Sequence, residues 1–211
     1  MRMEKFESLL EESKIIAILR GVTGSNVDRM VSALYEGGIR LAEITLNTDG
    51  ALASISHLRE IWHGKMMIGA GTVTCRREAE EAIAAGAELI VTPNVEPEAI
   101  RFCCDRDIPI TPGALTPTEI ITAKSCGSEY VKLFPAGCMG TGYVRQLLGP
   151  LKGMKLLAVG GINEENAGAF LQSGVCGLGV GGGLCSVPED GDFGRITQSA
   201  QRLLQVCGKC G

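Results

Sequence analysis

The sequence predicts an α/β protein, a (β/α)8 barrel with a short N-terminal helix, on three observations. Eight short apolar runs closed by turn residues begin roughly 20 to 27 residues apart, the intervals between them carry helical patterns, and several of those patterns end on glycine. Short strands that are apolar on both faces and alternate with amphipathic helices indicate a parallel sheet. Eight such units in 211 residues fit a closed barrel at its small end, whereas an open doubly wound sheet usually has fewer strands. Residues 1–211 are expected to form one domain.

The elements follow in order. The opening segment MRMEKFESLLEESK reads as a short amphipathic helix, too charged for a signal peptide, so a cytoplasmic location is expected. Strand one is IIAILRG from Ile15, and the pattern NVDRMVSALYEGG after it closes near Gly37. Strand two is RLAEITL from Arg40, and strand three is MIGAGTV from Met67, followed by CRREAEEAIAAGA with its closing glycine at Gly86. LIVTPN from Leu89 and PITPGA from Pro109 are strands four and five, with Pro93 and Pro112 shaping their tops; TPTEIITAKSCG then closes at Gly127. YVKLFPA from Tyr130 is strand six, and LLAVGGI from Leu156 is strand seven, after which NEENAGAFLQSG closes at Gly174. GLGVGGG from Gly177 is strand eight. These four glycines are expected to be left-handed helix caps.

Composition excludes several classes. A net charge of -4 with no Lys/Arg cluster argues against a nucleic-acid partner or an anionic membrane surface, and no apolar run has membrane length. The nine cysteines are an odd count and follow no secretion signal, so most are expected to be reduced core thiols, including the adjacent Cys103 and Cys104. The Cys207–Cys210 pair has C-x-x-C spacing, but it has no second pair and lies away from any strand-to-helix turn. His57 and His63 fall on or after the helix that follows strand two and are expected at the surface. No metal-ligand cluster is visible. A G-x-G-x-x-G match at Gly177, Gly179 and Gly182 lies within the last strand instead of opening a first βα unit, so no dinucleotide or other cofactor is expected.

Active sites of such barrels lie at the C-terminal ends of the strands. Tyr130, Lys132 and Phe134 share one strand face and Val131 and Leu133 the other, which sends Lys132 into the barrel near its mouth. A dehydrated amine there has a lowered pKa and is a neutral nucleophile near pH 7; the alternative is a lysine paired with a core carboxylate, or one whose stem alone is buried. Glu43 has the parity of Leu41 and Thr45 and lies at a similar depth on strand two. It is either a proton-transfer carboxylate or half of a buried ion pair. Arg20 ends strand one as a fixed cation able to fork onto a carboxylate or phosphate, and Thr72 ends strand three with a hydroxyl. Gly160, Gly161, Gly182 and Gly183 end strands seven and eight, where backbone N–H groups commonly hold a phosphate; tight turning is their other explanation.

Taken in order, EITLNT, IGAGTV, VTPN, PGALTPTE, VKLFPA and AVGGI make the sequence resemble the 2-keto-3-deoxy-6-phosphogluconate (KDPG) aldolase family from about Ile15 to about Pro188. That family includes 4-hydroxy-2-oxoglutarate (KHG) aldolases and 2-keto-3-deoxy-6-phosphogalactonate aldolases. The resemblance implies a metal-independent class I aldolase, a homotrimeric barrel that cleaves a 2-keto-4-hydroxy acid to pyruvate and an aldehyde. It implies Lys132 as the Schiff-base lysine, Glu43 as general acid/base, Thr72, Pro93 and Phe134 at the pyruvate end, and Gly160 and Gly161 in the phosphate loop. Asn47, where many phosphogluconate-type members have arginine, together with Arg20 resembles the phosphogalactonate type. Val159 and Gly183 stand where a threonine and a serine are common, which removes two hydroxyl donors from the phosphate end. Another phosphate-binding isomerase or synthase, or a non-catalytic trimeric barrel that binds a keto acid, are the rival functions.

Overall fold

The computed structural model describes residues 1–208. Its strands are β1 (Ile15–Leu19), β2 (Leu41–Thr45), β3 (Met67–Gly71), β4 (Ile90–Val91), β5 (Ile110–Thr111), β6 (Gly113–Ala114), β7 (Tyr130–Leu133), β8 (Lys155–Val159) and β9 (Gly177–Val180). Its helices are α1 (Arg2–Ser13), α2 (Ser25–Glu36), α3 (Ala51–Ile61), α4 (Arg76–Ala84), α5 (Pro97–Cys104), α6 (Pro117–Ser125), α7 (Ala136–Leu148), α8 (Ala167–Gln172) and α9 (Gly194–Gly208).

All strand pairs are parallel, and the sheet runs β5-β4-β3-β2-β1-β9-β8-β7-β6. Its two ends, β5 and β6, are pieces of one chain segment interrupted by Pro112, which has no N–H to give to a ladder. The Pro112 carbonyl still accepts a bond from the Lys132 N–H at 2.9 Å. The ring is therefore a (β/α)8-type barrel with its fifth strand split.

Strand alternation sorts the core into two bodies. One lies between strands and helices and includes Ile44, Ile68, Ile90, Ile110, Val131 and Leu133. The other fills the barrel, with Ile16, Leu41, Met67, Val91, Tyr130 and Leu157. Helix α1 plugs the lower end: Phe6 and Leu10 join the interior cluster, and the Phe6 ring meets Tyr130 edge-on at 5.2 Å. Lys155 reinforces the plug, bonding Glu7 at 2.9 Å and Glu129 at 2.6 Å. The amphipathic opening segment thus seals the floor of the barrel, which leaves the site only its upper mouth.

Glycine behaves as expected after three helices: Gly86, Gly127 and Gly174 have φ of 106°, 107° and 106°. Gly37 does not. It stays right-handed at φ −72°, and the next residue, Gly38, takes the left-handed turn at φ 98°. Gly37 is small for another reason, because a β-carbon there would come within 2.5 Å of the Ala200 Cβ on α9.

Cys103 is buried on α5, and its thiol is pushed up to about 12 by burial; the neighbouring Cys104 is raised too. Both carry no disulfide and lack the thiolate character a reactive cysteine needs. Cys207 is buried on α9, while Cys210 lies outside the described residues. Both histidines are exposed, and His57 bonds Asp28 at 2.9 Å. Among the described residues no helix is long and apolar enough to cross a membrane, and no group of three His, Cys, Asp or Glu could hold a metal ion.

Candidate active site

At the upper mouth a cavity of about 560 Å3 opens between the ends of β1, β7, β8 and β9. Lys132 lines it as a residue only 5% exposed, and its amine lies 4.8 Å from the centre of the Phe134 ring two residues on. Burial lowers the amine pKa, the nearby Glu43 carboxylate opposes that shift, and Arg20 adds to it. Glu43 is 2% exposed on β2, flanked in register by Ile18 and Gly69. Desolvation raises its pKa to about 7 against the pull of Lys132 and Arg20. Glu43 Oε2 has no hydrogen-bond partner among the described residues, and no ion pair within 4.0 Å ties the carboxylate to Lys132. The two groups feel each other's charge without a fixed bridge, so each keeps access to a molecule entering between them.

Room for the Glu43 side chain comes from β3. A β-carbon on Gly71 would come within 2.6 Å of the glutamate Cδ and Oε1. Thr72 follows at φ 57°, a left-handed conformation that a β-branched residue rarely adopts. Arg20 is exposed at the cavity edge just past β1, and the loop beside it is pinned by Thr48. The Thr48 hydroxyl accepts from the Gly21 N–H at 2.9 Å and pairs with the Thr45 hydroxyl at 3.0 Å.

Gly160, Gly161 and Gly182 line the same cavity, as do Arg20 and Lys132. Gly160 and Gly161 are consecutive left-handed residues, with φ of 89° and 74°, and a β-carbon on Gly160 would press the Phe134 ring at 3.0 Å. Only glycine combines that turn with that contact. Other expected site residues are not part of the cavity wall. Gly183 borders a separate depression with Glu164 and Leu203. Asn47 is exposed, Thr72, Pro93 and Phe134 are half-buried around the mouth, and Glu43 sits beneath it.

Three contributors were not read from the sequence. Gly71 looks like a strand-filling glycine until its neighbour across the sheet is known. Thr48 lies in a loop, three residues past Thr45 at the end of β2, beyond the strand-end positions where functional side chains are expected. Ser186 lines the cavity from the turn after β9, and a serine three residues beyond a glycine run was the available signal.

This arrangement can do amine chemistry on a carbonyl: a dehydrated lysine, a carboxyl that titrates near neutrality, and one flanking cation. Known proteins give the family. Residues 6–199 match the family model for KDPG and KHG aldolase. The chain is 33% identical over 192 residues to a 2-dehydro-3-deoxy-6-phosphogalactonate aldolase of Escherichia coli, covering 90% of this chain and 89% of that one. It is 32% identical to a 2-dehydro-3-deoxy-phosphogluconate aldolase of Treponema pallidum, over 96% and 97% of the two chains. A solved structure described as native KDPGal superposes with a TM-score of 0.88 at 31% identity, over 93% of this chain and 95% of that one. With a family match over nearly the whole length and a barrel that superposes on its relatives, the chain belongs to the KDPG and KHG aldolase family and is a carbon–carbon lyase.

Proposed function

We propose that the protein is a class I aldolase that cleaves a 2-keto-3-deoxy-6-phospho sugar acid to pyruvate and glyceraldehyde 3-phosphate, with Lys132 as the imine-forming amine. The observation that carries this is the pairing of Lys132 and Glu43 inside the barrel mouth. Burial pushes both toward their neutral forms, lowering the amine and raising the carboxyl to about 7, while no salt bridge locks either one.

The neutral amine attacks the C2 ketone to give a carbinolamine. Glu43, in its acid form, protonates the departing hydroxyl, and water leaves as the protonated imine forms. The same carboxylate then takes the C4 hydroxyl proton, directly or through water. The C3–C4 bond breaks, its electron pair moves into the iminium to form an enamine, and the aldehyde departs. Protonation at C3 and hydrolysis release pyruvate and restore the free amine. A carboxyl with pKa about 7 suits this alternation, because donor and acceptor forms are both populated near neutral pH. In this reading Arg20, exposed at the cavity edge, meets an anionic part of the substrate, Thr72, Pro93 and Phe134 surround its pyruvate end, and Asn47 contacts it beside the mouth. Arg20 and Asn47 favour the phosphogalactonate-type epimer over the phosphogluconate type. Several homologues' names, and the resemblance of strands two and six to the family pattern, support the substrate class. The same resemblance supports a homotrimer, which a molar mass near three times 22.2 kDa in solution would reveal.

Sodium borohydride added with pyruvate is expected to reduce the imine and leave a pyruvate-derived mass on the Lys132 peptide. Active, folded enzyme with no adduct overturns the proposal. Lys132→Ala is expected to abolish turnover without unfolding the barrel. Pyruvate release from the phosphogalactonate-type, phosphogluconate-type and unphosphorylated 4-hydroxy-2-oxoglutarate substrates, compared side by side, selects among them.

A further inference from the structure

Beyond Lys132, the cavity wall is made largely of backbone. Gly160, Gly161, Gly181 and Gly182 line it, and their N–H groups donate no hydrogen bond among the described residues. Polar side chains on the wall, apart from the buried Cys185 thiol, are Arg20, Lys132 and Ser186. Arg20 and Lys132 carry the charge, so at the glycine end the hydroxyl available to a ligand belongs to Ser186.

Ser186 is exposed, and its Oγ donates to the Gly182 carbonyl at 2.6 Å. That bond folds the hydroxyl back over the short turn Gly182–Leu184 that follows β9. It also ties the hydroxyl to the glycine stretch that lines the cavity. Because the Gly182 carbonyl is on an exposed residue, water can replace the serine there at little cost when the hydroxyl rotates to another acceptor. An oxyanion at this end would meet several unspent N–H donors and one hydroxyl donor. A phosphate has enough acceptor oxygens to use all of them, and a shorter substrate ending in a carboxylate has fewer.

We infer that Ser186 is a specificity-determining residue, the side chain that binds the distal phosphate of the substrate together with the backbone N–H groups of the glycines on the cavity wall. This rests on the aldolase reading of Lys132, so its test keeps that reading under separate control. The full-length enzyme and its Ser186→Ala and Ser186→Thr variants are assayed with a phosphorylated 2-keto-3-deoxy sugar acid and with 4-hydroxy-2-oxoglutarate, and each is trapped with pyruvate and borohydride. Ser186→Ala is expected to raise KM for the phosphorylated substrate at least tenfold more than for the short one, with kcat little changed. It should also weaken inhibition by inorganic phosphate. Ser186→Thr, which keeps the hydroxyl, should recover most of the loss. Equal losses on both substrates would mean that the serine only braces the Gly182 turn, and no loss on either would mean that backbone N–H groups bind the phosphate alone. Both outcomes overturn the inference while pyruvate trapping at Lys132 remains intact; loss of trapping in the parent enzyme instead overturns the aldolase mechanism.

Discussion

Gly71 and Glu43 pack so closely that a β-carbon on the glycine would come within 2.6 Å of the carboxyl carbon and of Oε1, and within 3.1 Å of Oε2. The whole carboxylate lies over bare backbone of β3. Alanine at position 71 must therefore push Glu43 off its present rotamer or shift the strand, and inserted methyl groups in packed interiors cost about 1–3 kcal/mol. Gly71→Ala is expected to fold, to lose at least tenfold in kcat, and to change the pH profile of turnover, since the moved carboxyl finds new surroundings. Unaltered kcat and pH profile would show that Glu43 has slack that the contact distances deny.

The raised pKa of Glu43 makes a statement about stability. Its carboxyl titrates at 4.5 ordinarily and at about 7 in the folded protein, because burial disfavours the charged form. Between those values the folded state holds a proton that the unfolded chain has lost, so this group makes stability fall as pH rises through the window and stay lowered above it. Lys132 acts in the opposite sense: its lowered pKa makes stability rise with pH toward 10.5. Glu43→Gln removes the first contribution. At pH 8 the variant is expected to exceed the parent by up to about 3 kcal/mol in urea unfolding, with the difference shrinking toward pH 4.5. A difference that does not change with pH would contradict burial as the cause.

Much of this layout is legible from residue order alone. Strands apolar on both faces specify a parallel sheet covered by helices, their number, eight, specifies a barrel, and alternation along YVKLF leaves Lys132 facing the interior. Relationships across the sheet are the part that order conceals. That Gly71 makes room for Glu43 depends on the β2–β3 register, Glu43 to Gly69 and Thr45 to Gly71, which neither strand encodes by itself. The same holds for Gly37 and Gly38: either glycine is competent as the left-handed cap, Gly38 takes it, and the reason Gly37 must be small, the close approach of Ala200 on α9, is visible only in the fold. Ser186 escaped because its turn has no periodic pattern, and only the folded cavity brings it beside Gly160 and Gly161.

Thr72 holds a strained backbone beside the site. Its φ of 57° is unfavourable for a β-branched residue, and such conformations cost about 1–3 kcal/mol. Thr72→Gly relieves the strain but loosens the unfolded chain, so the net gain in stability is expected to be about 1 kcal/mol. Turnover should fall at the same time, because the hydroxyl and the fixed turn next to Gly71 and the site are both lost. Thermal unfolding and kcat/KM measured on one preparation check the opposition; a variant that loses stability as well would show that glycine entropy outweighs the strain.

Thr111 has the opposite character, a polar group with no visible use. It is 1% exposed on β5, and its hydroxyl has no hydrogen-bond partner among the described residues. Register places it beside Val91, which belongs to the barrel interior, so the hydroxyl is buried on the interior face of the barrel. A buried donor left unpaired costs about 1–3 kcal/mol, and valine has nearly the same shape without it. Thr111→Val is therefore expected to stabilise the protein by about 1 kcal/mol or more, read as a higher urea midpoint at unchanged slope. Turnover should stay within about twofold of the parent, as a loss below 0.4 kcal/mol in transition-state binding would be, because the hydroxyl bonds neither Lys132 nor Glu43. A destabilised variant would mean that an ordered water satisfies the hydroxyl inside the barrel. A stable variant with strongly reduced kcat would instead bring Thr111 into the proton-transfer path between the amine and the carboxyl.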